Sequence, residues 1–246
     1  MDSIAVAATS GLQSRMEALD MMANNLANAT TSGFKLDREF YSVFSADDNG
    51  FATDANSSSL PMIQKQWTDF SQGELQPTGN PLDLALNGKG FFVVNSPTGP
   101  LYTRNGAFTL SPTGALATSD GYQVNGSGGQ PIQTLDRSPI EVSAEGAVQQ
   151  NGVKIAQIQI VDFKDPSVLS KKGGSYFINS STTQQPIPAT NVTVEQGKTE
   201  GSNVSPAESA VRLVGVMRQF EMLQKAVTMT TDMDKKSLEE VAKPGA

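Results

Sequence analysis

The 246-residue chain has no cysteine and no histidine. Without thiols it can form neither a disulfide nor a cysteine-based metal site, and without imidazole it lacks the usual base of a hydrolytic triad. Carboxylates, lysines, tyrosines and hydroxyls would have to carry any chemistry, so no catalytic, metal or cofactor site is expected. Positive charge is also scarce, with 18 Lys and Arg against 25 Asp and Glu and a net charge of −7. No basic stripe is visible, which argues against nucleic acid and against anionic membrane surfaces as partners. Long apolar runs are missing too. The opening "MDSIAVAATSGLQSRMEALD" has Asp2 where a secretory signal needs positive charge and is interrupted by Thr9, Ser10 and Gly11, so no cleaved signal is expected. The most apolar C-terminal stretch, 210–229, contains Arg212, Arg218, Glu221 and Lys225, too much charge to cross a bilayer. What remains, 37% hydrophobic and 17% charged residues, is the composition of an ordered, soluble chain of one or two domains.

The ends read as helices. Residues 3–29 lack proline, and Ala5, Leu12, Leu19 and Leu26 recur every seven residues, followed at three-residue offsets by Ala8, Arg15 and Met22. That is a seam of 3.5 period with Arg15 as its violation. Near the other end, "SPAE" at 205–208 places Ser205 at an N-cap, Pro206 at the first helical position and Glu208 three residues after the cap. A helix should start there and run to about Glu240. Its seam positions are Leu213, Phe220 and Val227, alternating with Val216, Leu223 and Thr230, and Glu208 with Arg212 forms a favourable pair four residues apart. Apolar seams on isolated helices must bury against something: each other, the rest of the chain, or neighbouring subunits. Spacing does not choose among these.

Between the helices the texture changes. Short β-branched or aromatic runs, "FFVVN" at 91–95, "LYTR" at 101–104, "AFTL" at 107–110, "IEVS" at 140–143 and "VKIAQIQIVDF" at 153–163, are separated by "SPTG", "NG" and "DG" turn signals. The chain is therefore expected to be α+β: an N-terminal helix within 1–30, a connector over 31–66, a β-rich antiparallel module over 67–200 and a C-terminal helix within 201–246. In the connector, "FKLDREFYSVF" fits a short helix or a strand, and "SADDNGFATDANSSSLP" is polar and turn-rich.

Other readings have to be weighed. Glu74 with Asp83, or Asp120 with Asp162, could form an acid/base pair for glycan cleavage, although solvated carboxylates are the simpler account. Trp67, Tyr102 and Tyr122 could stack on sugars in a secreted glycan-binding or adhesive module. "GKG" at 88–90 and "GSGG" at 126–129 lack the strand, helix and Lys-Ser/Thr of a phosphate loop and read as turns. The segment "ANNLANATTSGFK" at 23–35 poses a sharper question, because it places Asn24, Asn25 and Asn28 in an apolar helix although asparagine is a poor helix former. Either the helix frays into a turn at Ser32-Gly33, or the amides set register across a close helix contact.

That segment resembles the N-terminal motif of the rod and hook proteins of the bacterial flagellum, of the form ANNLAN followed by a T/S-G-F turn. Two further blocks match in order. "TGNPLDLALNGKGFFVV" at 78–94 with "YTRNGAFTLSPTGALATSDGYQV" at 102–124 is similar to the β core of that family, and "EGSNVSPAESAVRLVGVMRQFEMLQKAV" at 200–227 resembles its C-terminal helix. Hook members are longer through added outer domains. Distal rod members usually carry a longer polar insertion after GFK, whereas about thirty residues separate Lys35 from Trp67 here, and "IVDFKDPSVLSKKGGSYF" at 160–177 resembles proximal rod members. The resemblance implies a non-enzymatic subunit of the torque-carrying rod in the periplasmic space, exported without a cleaved signal by the flagellar type III apparatus. It also implies terminal helices pairing as a coiled-coil-like stem around the export channel, with copies of the chain and other rod proteins as partners. Residues expected to serve subunit assembly are Leu12, Leu19, Asn24, Asn25, Leu26, Asn28, Gly33, Phe34, Leu213, Val216, Phe220, Leu223 and Val227.

Overall fold

A computed structural model describes residues 2–44, 60–136 and 138–241. Two long helices lie at the ends, α1 over Asp2–Ala27 and α2 over Pro206–Val241. The start of α2 follows from its cap: proline stands at the first helical position, where its missing N–H costs nothing. The Ser209 N–H then donates to the Ser205 carbonyl at 2.9 Å. Glu208 and Arg212 meet at 2.7 Å, both more than half exposed, which is worth only a few tenths of a kcal/mol.

The chain divides into two compact units. The first contains α1, α2 and a two-stranded sheet of Asp37–Phe44 with Leu60–Thr68. The ambiguous "FKLDREFYSVF" therefore supplies a strand, while residues 45–59 of the polar connector lie outside the described residues. α1 packs against α2 within this unit. Leu223 Cδ1 lies where a Cβ added to Gly11 would meet it at 3.7 Å. Among the described side chains of α1, Ser14, Ala18 and Asn25 are the buried ones.

The second unit, residues 28–36 and 68–204, is the β module. Its largest sheet runs Leu169–Lys171, Tyr176–Asn179, Gly99–Thr103, Phe91–Ser96, Gln123–Val124, Leu116–Thr118, Phe108–Leu110, with Ile160–Asp162 also pairing to Phe91–Ser96. The registers are antiparallel. Phe91–Ser96 is central, and this explains its unbroken apolar run. Phe92 and Val94 enter one buried cluster with Leu84, Phe108 and Leu116, while Phe91 and Val93 enter another with Tyr102, Phe163 and Phe177. The second cluster is built from edge-on aromatic pairs, such as Phe91 with Phe177 and Tyr102 with Phe163.

A smaller sheet joins Ile140–Val142, Ala147–Gln150 and Val153–Gln157. Its Asn151-Gly152 turn has positive φ at both residues, the geometry that a two-residue hairpin demands. The expected long strand over 153–163 is two strands in different sheets, Val153–Gln157 and Ile160–Asp162. Between them Ile158 is buried and donates its N–H to the Gly146 carbonyl, so the chain changes sheets without leaving backbone groups unpaired.

Two outcomes are expected. Gly11→Ala adds a methyl at ordinary contact distance from Leu223 and removes helix-breaking freedom, so it should stabilise the helix pair by about 0.5–1 kcal/mol in urea unfolding followed by helical circular dichroism. Burial, and a hydrogen bond of 2.6 Å donated to Asp120, hold the Tyr176 hydroxyl above its ordinary value of 10.0. The folded chain thus keeps a proton that the unfolded chain releases. Stability from this group is complete below pH 10 and lost as pH rises further, and Tyr176→Phe should flatten that alkaline decline in thermal melts.

Candidate functional site

Three distant segments of the β module converge on one buried cluster of charge. Glu200, at the end of the strand Lys198–Glu200, has no solvent exposure, and its carboxylate accepts from Lys35 Nζ at 2.5 Å, the Gly73 N–H at 2.9 Å and Arg104 Nη1 at 3.1 Å. Lys35 also donates to the Ser71 carbonyl at 2.6 Å, and Arg104 to the Gly88 carbonyl at 2.6 Å. The Arg104 guanidinium lies over the Phe91 ring, with its Nε buried and unpartnered. Burial pulls both the Lys35 ammonium and the Arg104 guanidinium below their ordinary ranges, and Glu200 pulls each of them back up.

Backbone geometry admits these partners. The Gly33 N–H donates to the Glu200 carbonyl at 2.7 Å, and Gly33 has φ of 69° with the place of a Cβ only 2.2 Å from the Asn105 nitrogen. Any side chain there would be strained and would collide with backbone. Gly73 is equally constrained, its Cβ position lying 2.1 Å from the Gly201 carbonyl oxygen. Asn203 completes the arrangement. Its Oδ1 accepts the Leu36 N–H at 2.7 Å, and its Nδ2 donates to the Asp69 carbonyl at 2.8 Å and to Ser71. The segments 33–36, 69–73 and 200–203, through which the chain enters and leaves the module, are thereby tied at one place.

In the helical unit most of the residues expected to serve assembly lie along α1 and α2. On α2, Val216 is buried and Leu213, Phe220, Leu223 and Val227 are half-buried. On α1, Leu12, Leu19, Met22, Leu26 and Arg15 are half-buried beside the deeper Ser14 and Ala18. The side chains of Ala5, Ala8 and Thr230 lie outside the described residues. Asn25 is buried, and its amide pairs with one backbone residue in both directions, donating to the Asp37 carbonyl at 2.8 Å and accepting the Asp37 N–H at 3.0 Å. It mimics a strand partner.

Three family models match the chain: one described as Flagella basal body rod protein over residues 7–35, one described as Flagellar hook protein FlgE/F/G D1 domain over 85–161, and one described as Flagellar basal body rod FlgEFG protein C-terminal over 195–240. Among similar proteins, the flagellar basal-body rod protein FlgF of Caulobacter vibrioides is 33% identical over 92% of both chains. FlgF of Mesorhizobium japonicum is 32% identical over 89% of this chain and 88% of its own. The rod protein FlgG of Borreliella burgdorferi is 31% identical over 92% of this chain and 94% of its own.

The chain belongs to the flagellar basal-body rod protein family. Each of the three matched family segments contributes one member of the charge cluster: Lys35 from the first, Arg104 from the second and Glu200 from the third.

The residues singled out from the sequence fall in several places in this rod-family chain. Gly33 and Phe34 are buried in the β module, with Lys171 Nζ over the Phe34 ring at 4.0 Å. Asn28 shapes the following turn, accepting the Thr31 hydroxyl at 3.2 Å, and Asn24 is exposed on α1. Lys35, Arg104, Glu200 and Asn203 were missed as a group, since single charges far apart in sequence carry no local pattern. The sugar-stacking reading is corrected. Tyr102 lies in the phenylalanine cluster and Tyr122 packs edge-on against Tyr176, which leaves Trp67, under Arg38, as the exposed member of the three. Of the carboxylates considered for acid/base chemistry, Asp120 accepts the Tyr176 hydroxyl and Asp83 accepts from the Asn80 amide.

Glu200→Ala leaves two buried cations without their carboxylate and should destabilise the module by about 3–5 kcal/mol, read as an equal loss in urea unfolding followed by tyrosine fluorescence. An effect within 1 kcal/mol, a surface-residue value, would mean that the cluster is hydrated.

Proposed function

We propose that this chain is a structural, non-catalytic subunit of the flagellar basal-body rod, of the proximal type represented by FlgF. It works in the periplasmic space and is delivered there by the flagellar type III apparatus without cleavage. The observation that carries this reading is the extent of the likeness: 92% of the chain aligns with 92% of the Caulobacter FlgF, and rod-family models match residues 7–35 and 195–240 near the two ends. A stem and a clamped module suit a part that bears load and performs no reaction.

In this reading α1 and α2 form a coiled-coil-like stem through Leu12, Leu19 and Leu26 on one side and Leu213, Val216, Phe220, Leu223 and Val227 on the other. Gly33, Phe34 and the Asn25–Asp37 pairing hold the chain where it leaves α1. Asn24, exposed, and Asn28 serve contacts with adjoining copies and other rod subunits. The domain boundaries follow the same division: helix within 1–30, connector over 31–66, module over 67–200, helix within 201–246. A distal, FlgG-like role is the second reading, favoured by the FlgG relative of similar coverage.

The test is replacement in cells that lack the endogenous protein. The chain should restore swimming and be present in purified basal bodies at the rod; its absence from them would defeat the proposal. Leu213→Gln, Phe220→Gln and Val227→Gln together should abolish incorporation and swimming while the thermal transition of the β module stays within a few degrees of the parent. The module should persist because its two buried clusters contain no α2 residue.

A further inference from the structure

Three Asn-Gly pairs lie among the described residues, beginning at Asn105, Asn125 and Asn151. Such a pair can lose ammonia, because glycine has no side chain to keep its backbone nitrogen away from the amide of the preceding asparagine. The fold treats the three differently. Asn105 is half-buried, its Oδ1 accepts the Ala107 N–H at 3.0 Å, and a Cβ placed on Gly106 would lie 1.6 Å from the Leu84 carbonyl oxygen. Asn125 is buried, its Nδ2 donates to Asn95 at 2.9 Å, and the Gly126 N–H donates to the Gln130 carbonyl at 2.8 Å. Either pair can rearrange only when the packed sheet around it opens. Asn151 and Gly152 instead stand exposed at the tip of the hairpin formed by Ala147–Gln150 and Val153–Gln157. Nothing lies within 4 Å of a Cβ placed on Gly152, and Asn151, with φ of 53°, is the one non-glycine of positive φ among the described residues. A hairpin tip opens locally at a small fraction of the free energy of global unfolding.

We propose that Asn151-Gly152 is a site of spontaneous deamidation in the folded chain, and that the acid formed there loosens the hairpin from the neighbouring loop at Asp136. In the reaction the Gly152 backbone nitrogen gives up its proton and bonds to the Asn151 side-chain carbonyl carbon. The bond from that carbon to Nδ2 breaks, and Nδ2 leaves with a third hydrogen as ammonia. Water then opens the five-membered imide at either carbonyl, which gives aspartate or isoaspartate. The consequence is electrostatic. Asn151 Nδ2 donates to Asp136 Oδ2 at 3.3 Å, and Asp136 Oδ1 accepts the Ser138 N–H at 2.8 Å. Ser138 foremost, with help from the Asn151 amide, holds the Asp136 carboxyl below its ordinary range, so it is charged at neutral pH. Deamidation replaces the amide donor by a second carboxylate facing the first. Isoaspartate also lengthens the backbone by a methylene inside the two-residue turn that sets the register of the hairpin. The Gln150 side chain, which accepts the Leu135 N–H and donates to the Asp136 and Ser138 carbonyls, is left to hold the loop.

The test is incubation of the full-length chain in mildly alkaline buffer, followed by cleavage at lysine and arginine and mass spectrometry of the peptides. Asn151 then lies on peptide 138–154, and Asn105 and Asn125 lie on 105–137, where fragmentation separates them. Asn49-Gly50, outside the described residues, is read from a third peptide. Conversion at Asn151 should be at least about tenfold faster than at Asn105 or Asn125 and should give both aspartate and isoaspartate. In concentrated urea the three rates should converge. Asn151→Asp, made directly, should lower the melting midpoint of the chain by about 1–3 °C, and Asp136→Asn in the same chain should restore most of that loss by supplying an amide on the other side of the contact. Asn151 converting no faster than the other two in the folded chain would overturn the site. A midpoint that Asn151→Asp leaves unchanged, or a loss that Asp136→Asn fails to restore, would overturn the loosening.

Discussion

The β module depends on one carboxylate. Glu200 is sealed from solvent, and its partners come from positions 35, 73 and 104. A charge without water and without partners costs several kcal/mol, so an arrangement that fails to bring all three segments together is penalised heavily. An apolar substitute of equal volume could match the cluster in stability, but it would accept many neighbours. The carboxylate accepts only donors, aimed at it from three directions. Its value is therefore selection of one chain path, and that path is the one on which residues 33–36, 69–73 and 200–203 run side by side.

Asn25 works by the same logic within the helical unit. Its amide spends a donor and an acceptor on Asp37, twelve residues on, and the excursion of 28–36 begins and ends at that pairing. Leucine would give a better helix and no pairing. The cost in propensity is a few tenths of a kcal/mol, against two hydrogen bonds worth about 1 kcal/mol each. This resolves the oddity of asparagine in an apolar helix for one of the three residues, by a contact within the chain.

What could be read from the sequence was local. The Ser-Pro-Ala-Glu cap marks the start of α2, the Asn151-Gly152 turn marks a hairpin, and the doubly buried run at 91–94 marks a strand, because each depends on neighbours in the chain. The heptads located the helices but misjudged depth. Leucine spacing points to Leu12 and Leu19, yet Ser14 and Ala18 lie deeper, because burial is set by tertiary partners that a heptad does not record. The run at 153–163 has uniform strand character, and its division between two sheets is imposed by tertiary partners of Ile158. The charge cluster was illegible for the same reason: 165 residues separate Lys35 from Glu200.

A helix that serves only as half of an intrachain pair needs one apolar stripe, and the opposite side of a soluble helix is normally polar. α2 has methionine and valine on that opposite side at more than half exposure, bordered by charges of both signs, and the outer side of α1 combines methionine and alanine with acids. Exposed apolar stripes are costly for a monomer that stays dispersed, since each invites association.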